Sequence, residues 1–264
     1  VFKKLVDCID KNYIFFKLTK GLVDDNGKIK RIAQAAEEIF KYKFPDEEFV
    51  WTVIGGPVKA GELSNKIPTA SIYAPNNNKV IELCYSFSTE YYPIMISNDA
   101  IGVEISSAFK NVYAIVTGIC DGLYGKYGKA NYHNFNAFLF NQGILEISKM
   151  AEKAGGRNST VFDLAGIGDF YVASLSGRNR RYGEEVGKGE DPHKTFKKMF
   201  EAGEVAEGYM ALKIAMDWVK SLDEKLIEEL PLLKVLYEII FDGRDLRRSL
   251  NEFVQIMRQR FKSI

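Results

Sequence analysis

Residues 91–113 read YYPIMISNDAIGVEISSAFKNVY, and the change of pattern at Asn98-Asp99 within them decides the fold. Before that point, short β-rich runs at Tyr13 to Thr19, Phe49 to Gly55, Thr69 to Ala74 and Tyr91 to Ser97 alternate with helical or turn segments. The runs are rich in Ile, Val, Phe, Tyr and Thr, residues that fit a pleated, half-buried surface. Between the first two runs, Ile29, Ile32, Ala33, Ala36, Ile39 and Phe40 recur at helical spacing, so a helix is predicted over residues 28–40. This is the pattern of an α/β unit, with Pro75-Asn76-Asn77-Asn78 as a turn inside it. After Asp99 the apolar residues recur at three and four, as in Ile101, Ile105, Phe109, Val112 and Tyr113, then Ile144, Ile147 and Met150. Further helices are predicted over Met210 to Val219, Pro231 to Phe241 with proline at its start, and Leu246 to Phe261. The expected architecture is an α/β region at residues 1–98 and an all-α region at 99–264.

Composition bounds the function. The 264 residues are 46% hydrophobic, enough to bury a sizeable core. Thirty-six Lys and Arg against thirty-five Asp and Glu leave a formal charge of +1, so no basic field draws the chain to nucleic acid or acidic lipid. Any anion site must be local. Cys8, Cys84 and Cys120 form no C-x-x-C pair and read as small buried residues in a reducing compartment. Two histidines, His133 and His193, are too few for a typical metal centre, and both are expected in surface loops. No run of about eighteen apolar residues is present to span a membrane. The start, Val1-Phe2-Lys3-Lys4, does not read as a signal peptide, and a cytoplasmic setting is expected. Asn158-Ser159-Thr160 matches a glycosylation acceptor that would be idle there.

Three segments carry more than packing requires. In Leu18-Thr19-Lys20-Gly21 a lysine follows a predicted strand, and ligands of open α/β sheets sit beyond the carboxyl ends of strands. A solvated lysine capping a strand is the competing reading. In Ala108-Phe109-Lys110-Asn111-Val112 a lysine lies in a strongly apolar helix, where burial would bring an ammonium toward the range useful for proton transfer. A lysine snorkelling at a domain edge would look the same. The third is Ala165-Gly166-Ile167-Gly168-Asp169, followed by Ser176-Gly177-Arg178-Asn179-Arg180-Arg181-Tyr182-Gly183. Glycines flanking an Arg-Asn-Arg-Arg turn let backbone N–H groups, a guanidinium and an amide converge on one phosphate. A solvated basic loop is the alternative.

In order and together, these segments resemble the NAD(P)-dependent glycerol-3-phosphate dehydrogenase family. The resemblance runs through Thr19-Lys20-Gly21, Gly56-Pro57, Ala60, Glu62-Leu63, Pro68-Thr69, Gly102-Val103-Glu104 and Lys110-Asn111-Val112. It continues through Gly118 to Gly122, Gly166 to Asp169 and Gly177 to Arg181, and ends at Glu207-Gly208-Tyr209. It implies the second half of a Rossmann-like dinucleotide-binding domain followed by a helical substrate domain. It also implies hydride transfer between NAD or NADP and C2 of the substrate, interconverting dihydroxyacetone phosphate and sn-glycerol 3-phosphate. By the same resemblance Lys110 matches the catalytic general acid/base, Lys20 the second active-site lysine, and Asp169 the carboxylate that orients substrate and lysines. Asn111, Arg178 and Asn179 match phosphate contacts, while Gly56, Ala60, Glu207, Lys20 and Arg178 match positions that approach the cofactor. The expected partners are the small phosphorylated substrate and, given 18 Phe and 14 Tyr, a second copy of the chain in a homodimer.

The chain departs from the family pattern in places. Val58 stands where a hydroxyl residue is common, Ala173-Ser174 where a threonine follows the aspartate in part of the family, and Gly177 where bacterial members often have serine. No G-x-G-x-x-G is present, so roughly 90 residues, one βαβαβ half with the pyrophosphate turn, are expected to be missing and the sequence to be a fragment. The residue that selects NAD or NADP would lie in that half. Two other readings compete: a non-catalytic descendant that keeps a phosphate pocket, and another two-domain reductase such as a ketopantoate reductase. The Gly-Arg-Asn-Arg-Arg stretch weighs against the latter, whose carboxylate substrate would not require it.

Overall fold

The computed structural model describes residues 2–9, 13–128 and 131–262. Val1 of the quoted start and residues 129–130 of the Gly- and Tyr-rich stretch lie outside them. The chain forms two compact units, Val1–Ala108 with Ala151–Asp169, and Phe109–Met150 with Phe170–Ile264.

The first unit is α/β. A short helix α1 (Phe2–Leu5) precedes strand β1 (Ile14–Lys17), hairpin strands β2 (Leu22–Asp25) and β3 (Lys28–Arg31), and helix α2 (Ile32–Lys43). Then come β4 (Val50–Gly55), α3 (Ala60–Ser64), β5 (Ser71–Pro75), α4 (Ile81–Ser86) and β6 (Ile94–Ile96). The main sheet has the order β1-β4-β5-β6. β1 pairs parallel with β4, Ile14 opposite Val50, β4 runs antiparallel to β5, and β5 pairs parallel with β6. β1, β4 and β6 fall inside predicted runs, and β5 runs one residue past its own, to Pro75, which was expected in the turn. The helix predicted over residues 28–40 is corrected at its front, because Lys28–Arg31 is the second strand of a hairpin. Asn26 and Gly27 both take positive φ, 55° and 82°, the conformation of a two-residue type I′ turn. α2 buries Ile32, Ala33, Ala35, Ala36 and Phe40, and Phe40 packs with Phe15 and Trp51, whose rings stack at 4.4 Å. Burying such rings contributes roughly 2–3 kcal/mol each.

Asp99 explains the switch at Asn98-Asp99. Its carboxylate accepts from the Gly102 N–H at 2.8 Å, starting helix α5 (Ala100–Tyr124), and from the Arg157 N–H and the Thr160 hydroxyl. α5 begins in the first unit and ends in the second. The first unit closes with α7 (Asn158–Val161) and one π-helical turn, Leu164–Gly168, that leads into α8 (Asp169–Leu175).

The second unit is helical: α6 (His133–Lys153), α9 (Arg178–Lys188), α10 (Pro192–Glu201), α11 (Glu207–Leu222), α12 (Pro231–Phe241) and α13 (Leu246–Lys262). Pro231 opens α12 as predicted, supplying no N–H where none is needed. The N–H groups of Leu232 and Leu233 instead find Glu146, fully buried on α6. That carboxylate also accepts from Tyr113 Oη at 2.7 Å and Gln142 Nε2 at 2.9 Å. Burial pushes the Glu146 carboxyl above its usual range, and the four donated hydrogens pull it back.

Candidate active site

In the first unit the chain leaves β1 at Lys17, and Gly21, with φ 119°, turns it into the hairpin. Lys20 Nζ donates to Asp169 Oδ2 at 2.8 Å, with the carboxylate buried and the lysine side chain 25% exposed. The π-helical turn delivers Asp169, and it needs glycine at 166, where a Cβ would collide with the Val161 carbonyl. Next to β1 in the sheet, β4 ends at Gly55 and Gly56, the latter with φ 102°, and Ala60 opens α3 on exposed backbone. Two parallel strands therefore present their carboxyl ends side by side, with glycine turns and an ammonium, the setting in which α/β sheets take nucleotide ligands.

Glu104 anchors this end. Buried on α5, it is bonded to Lys17 Nζ, to Arg31 Nη1 at 2.8 Å and to the Ala33 N–H at 2.9 Å. Burial holds the Lys17 ammonium below its ordinary pKa, against the pull of Glu104. One carboxylate thus pins both ends of the segment that carries Lys20.

In the second unit, α5 and α9 meet main chain to main chain. A Cβ on Gly118 would strike the Arg180 carbonyl, one on Gly122 that of Glu184, one on Gly183 that of Ile115, and one on Gly187 that of Ile119. Glycines spaced four apart on both helices permit this contact, as in small-xxx-small helix pairs. Two turns before Gly118 on α5 lie Lys110 and Asn111, each 8% exposed; one turn before Gly183 on α9 lie Arg178 and Asn179. α11 joins them, since Gly208 rests on the Asn111 carbonyl and its N–H donates to Asn179 Oδ1 at 2.8 Å. Glu207 accepts from Asn111 Nδ2 at 3.2 Å and Arg178 Nη2 at 3.3 Å. The first turns of two helices, a guanidinium and two amides thus gather at Asn111, the sequence neighbour of Lys110, and these are donors that could hold an anion.

Several expectations change. The Arg-Asn-Arg-Arg stretch is the first turn of α9, not a loop, and its arginines part company. Arg180 pairs with Asp121, and Arg181 with Glu204 at 2.9 Å, leaving Arg178 and Asn179 at the site. His133 and His193 are exposed as expected but helical, opening α6 and lying in α10, where His193 Nδ1 meets Tyr209 Oη at 2.8 Å. Cys8 is exposed, whereas Cys84 and Cys120 are buried.

An α/β unit with a strand-end lysine–carboxylate pair and a helical unit fit the class of two-part α/β and all-α oxidoreductases. Residues 99–251 match the family model described as NAD-dependent glycerol-3-phosphate dehydrogenase C-terminus. The chain is 33% identical over 255 residues to glycerol-3-phosphate dehydrogenase [NAD(P)+] of Clostridium tetani, covering 96% of this chain and 67% of that protein. It is 34% identical to the protein of the same name from Fusobacterium nucleatum, covering 96% and 71%. Glycerol-3-phosphate dehydrogenase from Coxiella burnetii superimposes with a TM-score of 0.79 at 28% identity, over 96% of this chain and 72% of that one. The chain belongs to the NAD(P)-dependent glycerol-3-phosphate dehydrogenase family.

Proposed function

We propose that this protein interconverts dihydroxyacetone phosphate and sn-glycerol 3-phosphate with NAD or NADP, with residues 1–98 as the dinucleotide side and 99–264 as the substrate side. The observation that supports the reading is the meeting of α5, α9 and α11, where Gly208 rests on the Asn111 carbonyl and donates to Asn179 while Glu207 bonds Asn111 and Arg178. Asn111, Arg178 and Asn179 hold the phosphate, whose charge the first turns of α9 and α11 favour. Lys110 donates a proton to the C2 oxygen as the carbonyl is reduced, and takes it back in the reverse direction. Lys20 and Asp169 orient the substrate at the end of β1. The glycine turn at Gly56 and the open backbone around Ala60 fit a dinucleotide, and Gly56, Ala60, Lys20, Arg178 and Glu207 would hold it. When bound, its nicotinamide supplies or accepts the hydride. Among the described residues no helix is long and apolar enough to cross a membrane. A cytoplasmic setting and a homodimer complete the proposal.

The test is the rate of the full-length protein with dihydroxyacetone phosphate and each reduced nicotinamide. Lys110→Ala is expected to lower kcat by about 10²–10⁴-fold, the usual worth of a positioned acid/base. An unchanged kcat removes Lys110 from the chemistry, and no turnover by wild type with either nicotinamide overturns the reading.

A further inference from the structure

Glu207 takes up two of the donors that the proposed site offers to a phosphate. One of its oxygens accepts from Arg178 Nη2 at 3.3 Å and the other from Asn111 Nδ2 at 3.2 Å, so a single carboxylate spans the guanidinium and the amide. Surplus positive charge does not explain its place, because Arg180 is paired with Asp121 and Arg181 with Glu204. As the first residue of α11, Glu207 also lies where a helix favours negative charge.

The hold is light. Both bonds are long for charge-assisted ones, and the Arg178 and Glu207 side chains are 47% and 48% exposed. Half-exposed ion pairs contribute little, so a stronger anion can displace one partner. Coulomb repulsion keeps a carboxylate and a phosphate dianion from sharing the same donors.

We infer that Glu207 is an internal stand-in for the substrate phosphate: it holds Arg178 and Asn111 in place while the seat is empty and leaves it when a phosphate arrives. Glu207 is then a specificity-determining residue, because an arriving anion must outcompete a carboxylate already seated. Monoanions with a single point of contact fail that contest, and a phosphate dianion wins it. The inference rests on the phosphate role proposed above for Asn111 and Arg178.

Inorganic phosphate is titrated calorimetrically into the full-length protein without cofactor, as wild type, Glu207→Gln, Glu204→Gln and Arg178→Ala. Glu207→Gln keeps the shape and removes the charge, and it is expected to tighten phosphate binding about five- to tenfold. Glu204→Gln removes an equal charge from the neighbouring Arg181 pair and is expected to stay within about twofold of wild type. Unchanged or weaker binding in Glu207→Gln, with Arg178→Ala clearly weakened, overturns the stand-in and leaves the phosphate site intact. Equal tightening in both glutamine variants overturns it as well, since net charge then accounts for the effect. Arg178→Ala binding like wild type, or no binding in any of the four proteins, overturns the phosphate site itself.

Discussion

Glu146 and Glu207 are carboxylates of the same helical unit, and they do opposite work. Glu146 is fully buried and meets four donors from three helices, at 2.7–2.9 Å. Glu207 is half exposed and meets two donors at 3.2 and 3.3 Å. The first is scaffold, because removing it strands buried N–H and O–H groups away from water. The second is exchangeable, because water or another anion can replace it at little cost. Side by side they show how one unit keeps a rigid frame under a site that must open and fill.

The contrast breaks most readily at the scaffold. Glu146→Leu is expected to cost about 4 kcal/mol, since the first N–H groups of α12, the Tyr113 hydroxyl and Gln142 all lose their acceptor. A shift of the denaturation midpoint worth under about 1 kcal/mol would show that these donors find other partners. Gly183→Ala should cost about 3 kcal/mol by forcing α9 off α5, and the movement of Arg178 should raise KM for the phosphorylated substrate more than it lowers kcat. Retention of wild-type KM would separate the glycine contact from the site. At the small end, Glu207→Gln should change stability by less than about 0.5 kcal/mol in the same denaturation series. A loss comparable to that of Glu146→Leu would erase the distinction between the two carboxylates.

Much of the fold was legible because its signals are local. Strand runs rich in β-branched and aromatic residues fell on β1, β4, β5 and β6, and Pro231 marked the start of α12. The hairpin was legible too, through Asn26-Gly27, but Ile29 and Ile32 sit at helical spacing and drew Lys28–Arg31 into the following helix. At the site, Arg178 and Asn179 stood out by residue type, and Asn111 only through the family resemblance. Their meeting depends on glycines at 118, 122, 183 and 187, whose spacing is visible but whose partners are far away in sequence. The anchoring roles of Glu104 and Glu146 left no local trace. A glutamate inside an apolar helix looks the same whether it faces solvent or four buried donors, and only tertiary structure separates the two.

The contact between α5 and α9 also bears on how such a protein diverges. Side chains that fill an interior can be exchanged for others of similar volume over many generations, and each exchange nudges neighbouring helices. Where two backbones touch directly there is no filler to swap, so the offset between α5 and α9 is shielded from that drift.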